Sequence, residues 1–274
     1  MLLGIVTTLS VLTCLAFTLP ACALDGFGKI WVLPVSLLGA FLFFALCAFL
    51  LIWISCAFVK MDKPQEKESR YFRFLAQGLA HAALPITSTR MHTKGLKQTP
   101  KSGRFFLVCN HLNDMDPVVL LRHFPKSQLA FISKRENDKK FLVGPLMHKV
   151  LCQPINREND KEALRTILKC VELLENDQVS IAAFPEGYIR GDNLLHPFRN
   201  GIFKIAQKTN VPIVVCTLQN TQHIFKNALR LKPTDVELHL VKVIAPEEYA
   251  GKNATEIGQM VYALMADDLG AENV

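Results

Sequence analysis

The chain has 274 residues, 50% of them hydrophobic, and a formal net charge of +7, which leaves room for one substantial domain, alone or with a membrane anchor. The positive charge is dispersed, with no basic stripe interleaved with aromatics. This argues against a nucleic-acid surface and leaves anionic lipid, a phosphorylated substrate or an acidic carrier protein as fitting partners. The eight cysteines form no Cys-x-x-Cys pair and no zinc-like spacing with histidine, so they read as reduced thiols in a cytoplasm-facing protein rather than a metal site or disulfide framework.

Met1 to Val59 holds only two charged residues, Asp25 and Lys29. Within it, residues 2–24 have spanning length, although Thr7, Thr8, Ser10, Thr13 and Pro20 dilute them. Ala21-Cys22-Ala23 has the small side chains of a signal-peptidase site, but no Lys or Arg precedes position 29. A first membrane helix is therefore preferred to a cleaved signal. Residues 30–59 carry no charge over about 30 positions, longer than the ~20 that a bilayer needs, with Trp31, Trp53 and Phe58 near the ends as interfacial anchors. Asp25 to Lys29 would join the two as a hairpin. Lys60, Lys63, Lys67 and Arg70 follow the second helix, against the single Lys29 in the connection. The positive-inside rule then places the remaining chain in the cytoplasm, on an integral protein of the plasma (inner) membrane.

Residues 1–59 are thus expected to be a membrane anchor, 60–93 a linker and 94–274 the globular domain. In the linker, Arg70 to Ala83 alternates apolar and basic residues at helical spacing, which suits an interfacial helix or a helix packed on the domain. Strands are expected at 105–109, 129–133, 179–184, 212–218 and 236–243. Helices are expected from Pro117 to His123, Lys161 to Leu174, Gly201 to Lys208 and Thr255 to Asp268. This alternation predicts an α/β fold, a single domain with a mostly parallel sheet flanked by helices.

Two segments carry candidate chemistry. After the first strand comes Asn110-His111-Leu112-Asn113-Asp114-Met115-Asp116-Pro117. A carboxylate five positions after a histidine, across a strand-to-helix turn, can bond one imidazole nitrogen and leave the other free to take a proton from an alcohol. The competing reading makes Asp116 a helix N-cap before Pro117, with His111 structural. After the third strand comes Phe184-Pro185-Glu186-Gly187-Tyr188-Ile189-Arg190, a tight turn at the strand end, where α/β folds keep their sites. Cys109 is the only thiol near these residues, and it reads as strand packing.

Together these segments resemble the glycerolipid acyltransferases of the 1-acylglycerol-3-phosphate acyltransferase type, whose hallmarks are N-H-x4-D followed some 70 residues later by F-P-E-G. Phe131-Ile132-Ser133-Lys134, Pro154-Ile155-Asn156-Arg157, the block from Pro197 to Ala206 and Val211-Pro212-Ile213 are similar to further family blocks, so the likeness runs roughly from Lys94 to Leu218. It implies His111 as general base and Asp116 as its orienting carboxylate. It also implies Glu186, Gly187 and Arg190 at the acceptor headgroup, and Arg157 with Lys134 on its phosphate. The implied reaction moves a fatty acyl group from acyl-CoA or acyl-carrier protein to 1-acyl-sn-glycerol 3-phosphate, giving phosphatidic acid, with no metal and no cofactor beyond the acyl donor. Tyr188-Ile189-Arg190 departs from the family's Thr-Arg-Ser. That leaves open another acceptor, such as glycerol 3-phosphate or another lysolipid, and a catalytically silent lipid-binding role is the reading from a different class.

Overall fold

Apolar content divides the chain into two parts. The computed structural model describes residues 2–24, 28 and 30–270. Leu2–Leu24 is one helical run made of α1 (Leu2–Thr13), a π-helical segment (Cys14–Thr18) and α2 (Leu19–Leu24); Val32–Ala57 forms α3. Both runs are long and apolar enough to cross a bilayer, and little of either is buried. A core helix of this composition would hide its large side chains, whereas here Phe17, Phe43 and Leu51 face outward, which fits a lipid surrounding. The runs pack together at Cys14, whose Sγ lies 3.5 Å from Ser36 Oγ. Asp25, Gly26, Phe27 and Lys29 of the expected hairpin connection lie outside the described residues.

The amphipathic stretch forms α4 (Arg70–Ile86), begun by the Ser69 hydroxyl, which accepts from the Phe72 amide. Its inner face buries Phe72, Leu75 and Leu84 in the domain core. Arg73 on the same face is buried and donates to the Leu129 carbonyl at 2.8 Å while pairing with Glu68. At Gly78 the helix meets the start of α1 so closely that a Cβ would lie 2.6 Å from Leu2 Cδ1. Helix α4 therefore packs on the domain and ties the apolar helices to it, with Tyr71, Leu79 and Ile86 left exposed.

The domain is built on one sheet of seven strands: β1 (Thr89–Lys94), β2 (Phe106–Cys109), β3 (Leu129–Lys134), β4 (Gln153–Ile155), β5 (Ser180–Ala183), β6 (Ile213–Gln219) and β7 (Thr234–Ile244). Their order is β1-β7-β6-β2-β5-β3-β4. Every pairing is parallel except β6 with β7, so β1 and β7 run against the other five. The helices are α5 (Asp116–His123), α6 (Val143–Lys149), α7 (Asp160–Glu175), α8 (Lys204–Thr209), α9 (Ile224–Ala228), α10 (Pro246–Tyr249) and α11 (Ala254–Leu269). Alternating residues of each central strand feed two cores. Leu107 and Cys109 of β2 pack towards α4 and α5, while Phe106 and Val108 pack towards α7 and α11.

This is the expected α/β fold with a mostly parallel sheet behind two apolar helices, with differences in detail. The five expected strands and the principal helices form within a few residues of their predicted bounds. The helix expected from Gly201 starts as a 3-10 turn (Asn200–Phe203) before α8. Strands β1 and β4 were not expected, and the segment 60–93 is less a linker than foreseen. Both α4 and β1 belong to the domain, β1 by six paired positions with β7.

Candidate active site

Strands β2, β5 and β6 lie side by side and parallel, so the segments leaving their C-terminal ends converge; this edge is where open α/β sheets gather functional groups. Asn110 closes the gap between two of them. Its Nδ2 donates to the Leu218 carbonyl at 2.9 Å and its Oδ1 accepts from the Leu218 amide at 2.7 Å, tying the end of β2 to β6.

From that fixed point His111 turns back towards Asp116, with Nδ1 2.8 Å from Oδ2. Asp116 is 0% exposed and would be costly to bury without partners. It has four: the His111 ring, the Leu112 amide at 2.7 Å, the Asn113 amide at 2.9 Å and the Thr221 hydroxyl at 2.5 Å. These contacts decide against the N-cap reading, because the carboxylate faces back over the loop rather than along α5. An oxygen that already accepts two amides acts as acceptor towards the ring, which puts hydrogen on Nδ1 and the lone pair on Nε2. The imidazole lies flat on Phe184, centroids 4.1 Å apart and planes at 16°, and Phe131 backs Phe184. Orientation, tautomer and one free nitrogen are what an alcohol-activating base requires.

Glu186 is tied to the backbone of two loops. Its Oε1 accepts from the His111 amide at 2.8 Å and its Oε2 from the His196 amide at 3.1 Å. Both oxygens of this buried group accept from the protein's own backbone, so it braces the two loops. Burial pushes its carboxyl above the usual range, opposed by the two amides and the nearby histidines. Gly187 adopts a left-handed φ of +87°, and a Cβ there would meet Arg199 Cδ and Nε at 3.0 Å. Glycine thus serves both the turn and the close approach of a guanidinium.

The basic residues divide. Arg190 lines the same small cleft as His111, together with Asp192 and His196, and its guanidinium stacks 4.8 Å from the Tyr188 ring centroid. Arg157 is half-buried, and burial and the adjacent Arg199 hold its charge below the ordinary guanidinium range. Arg199 Nη1 donates to the Arg157 carbonyl at 3.3 Å. Lys134, 58% exposed at the end of β3, pairs with Glu136 at 3.4 Å, and the Glu136 charge acts in turn on Arg157. Among the described residues no cluster of three His, Cys, Asp or Glu side chains could hold a metal ion. Cys109 is wholly buried and its thiol is pushed up by burial, the opposite of an activated nucleophile.

Three residues of the site were not singled out by sequence. Thr221 reaches Asp116 from 105 positions away. Arg199 lay inside a family-like block without a role. His196, with Nε2 2.8 Å from Asp192 Oδ1, places a second His–carboxylate pair in the cleft. For His196 a signal existed, a histidine four positions after an aspartate just beyond the Glu186 turn.

Residues 90–219, which contain this whole constellation except Thr221, match the family model described as Acyltransferase. Through this domain, a little under half of its length, the chain resembles the acyltransferase family. It is 28% identical over 167 residues to a 1-acyl-sn-glycerol-3-phosphate acyltransferase of Cocos nucifera, covering 61% of this chain and 54% of that one. It is 33% identical over 157 residues to the chloroplastic enzyme of that name, BAT2, from Brassica napus (57% and 44%). It is 26% identical over 183 residues to that of Borreliella burgdorferi (64% and 71%). The chain thus spans about half the length of the plant relatives. The crystal structure of the 1-acyl-sn-glycerophosphate (LPA) acyltransferase PlsC from Thermotoga maritima shares the fold, with a TM-score of 0.62 at 20% identity over 80% of this chain and 86% of that one.

Proposed function

We propose that this protein transfers a fatty acyl group from a thioester donor, acyl-CoA or acyl-carrier protein, to the free hydroxyl of 1-acyl-sn-glycerol 3-phosphate, forming phosphatidic acid. The observation that carries the reading is the His111–Asp116 pair, oriented at both ring and carboxylate, with Nε2 left for substrate. The hydroxyl gives its proton to Nε2 as its oxygen bonds to the thioester carbon. The tetrahedral adduct then collapses by breaking the C–S bond, and the imidazolium returns the proton to the departing thiolate. No acyl-enzyme is required, and the buried Cys109 is not available to form one.

The acceptor's hydroxyl and phosphate sit on adjacent carbons, so cationic groups must lie close to the base. Arg190 and His196 share the cleft with His111, and Arg157 and Arg199 lie beside one another past Gly187. Two neighbouring guanidinium groups repel until an anion lies between them, which supports a phosphate ligand. The names of the relatives point to the same acceptor. In this reading the apolar helices hold the enzyme in the plasma (inner) membrane, with the domain on the cytoplasmic side where Lys60, Lys63, Lys67 and Arg70 lie.

The test offers acyl-CoA and acyl-carrier protein to the detergent-solubilised protein with a panel of lyso-acceptors and glycerol 3-phosphate, with products followed by mass spectrometry. Phosphatidic acid as the main product is expected. A different preferred acceptor would move the reading to that headgroup, and no transfer to any acceptor would defeat it.

A further inference from the structure

The segment joining β6 to β7 places large apolar side chains where a soluble domain has no use for them. Between residues 221 and 233 there is no Asp or Glu, and Lys226, Arg230 and Lys232 alternate with Phe225, Leu229 and Leu231. Ile224 is fully buried and anchors α9, whereas Phe225 is 49% exposed, Leu229 88% and Leu231 93%. Single exposed leucines are ordinary, but three large apolar side chains within seven residues form a patch.

The backbone fixes that display. The Arg230 and Lys232 amides both donate to the Asn227 carbonyl at 2.9 Å, the Leu231 amide to the Ala228 carbonyl at 3.0 Å, and Leu231 takes a left-handed φ of +53°. Asn227 Nδ2 then bonds Thr234 Oγ1 at 3.0 Å, locking the turn to the start of β7. A closed turn that holds two leucines into solvent, Leu231 in a conformation leucine disfavours, presents them to something.

What it faces follows from its neighbours. The Thr234 amide donates to the Ser88 carbonyl at 3.3 Å, which brings the turn beside the end of α4, where Ile86 is 71% exposed. Further back along α4 come exposed Leu79 and then Gly78, packed against Leu2 at the start of the first spanning helix. An apolar strip thus runs from the membrane helices along α4 to Leu229 and Leu231, edged by three basic side chains.

We propose that the α9–β7 turn is a second membrane contact: Phe225, Leu229 and Leu231 insert into the headgroup boundary of an anionic bilayer while Lys226, Arg230 and Lys232 bond lipid phosphates. The spanning helices tether the chain; this turn orients the domain. Thr221, three residues before α9, bonds Asp116, so the docked turn sets the catalytic edge of the sheet at the lipid surface. The inference does not depend on the acyl-transfer reading, and its test reads no activity.

The two native tryptophans, Trp31 and Trp53, are replaced by phenylalanine and a single reporter is introduced as Leu231→Trp in the full chain. The protein is reconstituted in vesicles containing phosphatidylglycerol, with or without brominated acyl chains. The expected result is blue-shifted emission quenched by the brominated lipid and shielded from iodide, with quenching reduced in the triple variant Lys226→Gln, Arg230→Gln, Lys232→Gln. Leu231→Trp in the otherwise native chain, read by difference, covers the case in which the anchor substitutions disturb the fold. An iodide-accessible, aqueous reporter overturns the proposal and leaves the patch to a protein partner. Equal lipid quenching of a reporter at Lys252, in the α10–α11 connection, overturns it as well.

Discussion

Asp116 is the residue on which the geometry around His111 turns, because one buried carboxylate fixes a ring, two amides and a hydroxyl. Thr221→Val removes a donor and leaves Oδ1 buried without one, which should cost about 1–3 kcal/mol of stability and lower the acyl-transfer rate. Thr221→Ser should restore both, as read by denaturant unfolding and initial rates. Glu186→Gln keeps size but turns an acceptor into an NH2 group facing a backbone N–H, so one of the loops at His111 and His196 must shift. We expect kcat to fall more than tenfold, of the order that a misplaced catalytic group costs, with folding retained.

The same residue carries a pH signature. Its folded carboxyl is raised above the ordinary range by burial, so in the window above that range the folded chain holds a proton that the unfolded chain has released. Stability then falls as pH rises through the window. The wild-type stability measured relative to Glu186→Gln should therefore decline with rising pH there; a relative stability that rises with pH would contradict the assigned burial cost.

At this scale the sequence was legible where chemistry and chain proximity coincide. His111 and Asp116 are five positions apart and could be paired from spacing alone. Thr221 and Glu186 act across the sheet, and their partners are set by which strands lie side by side. Glu186 stands in a legible motif, but nothing linear tells that its carboxylate accepts the amides of His111 and His196. Lys134 is similar: its place at a strand end was legible, but its pairing with the acid two residues later was not.

Among the elements, α4 is where local pattern and tertiary role met. Its periodicity marked an amphipathic helix, but the surface that covers it was not in the pattern. The buried pair of Arg73 with Glu68, extended by Gln128 to Glu68 at 2.6 Å and by Arg73 to the Leu129 carbonyl, latches the helix to β3. Removing one partner strands the other charge, so Arg73→Ala should cost about 3–5 kcal/mol. The double replacement Arg73→Met, Glu68→Gln should cost much less, measured by chemical unfolding of the detergent-solubilised chain. Strand β1 escaped notice because Thr89 to Lys94 has a single large apolar residue, Met91. As an edge strand it is held by backbone pairing to β7 rather than by two buried faces. Strand β4 has only three residues, too few to show a period.

Over the whole molecule, charge and apolarity partition along one direction. Apolar helices lie at one end of the sequence, a basic α/β domain follows, and an apolar strip edged by basic residues continues from one onto the other. The division into apolar helices and a basic domain was legible because 59 residues with two charges leave little ambiguity. The strip was not, because it is assembled from α4 and the α9–β7 turn, which the Ser88–Thr234 bond brings together from distant parts of the chain. The central claim is that His111 performs the proton transfer of a direct acyl transfer. The most direct measurement is the rate of phosphatidic acid formation by vesicle-reconstituted wild type and His111→Ala, at matched folding. Loss of about 10²–10⁴ in rate, the contribution of a positioned general base, is the predicted result. Transfer by His111→Ala within a few-fold of wild type would contradict the account.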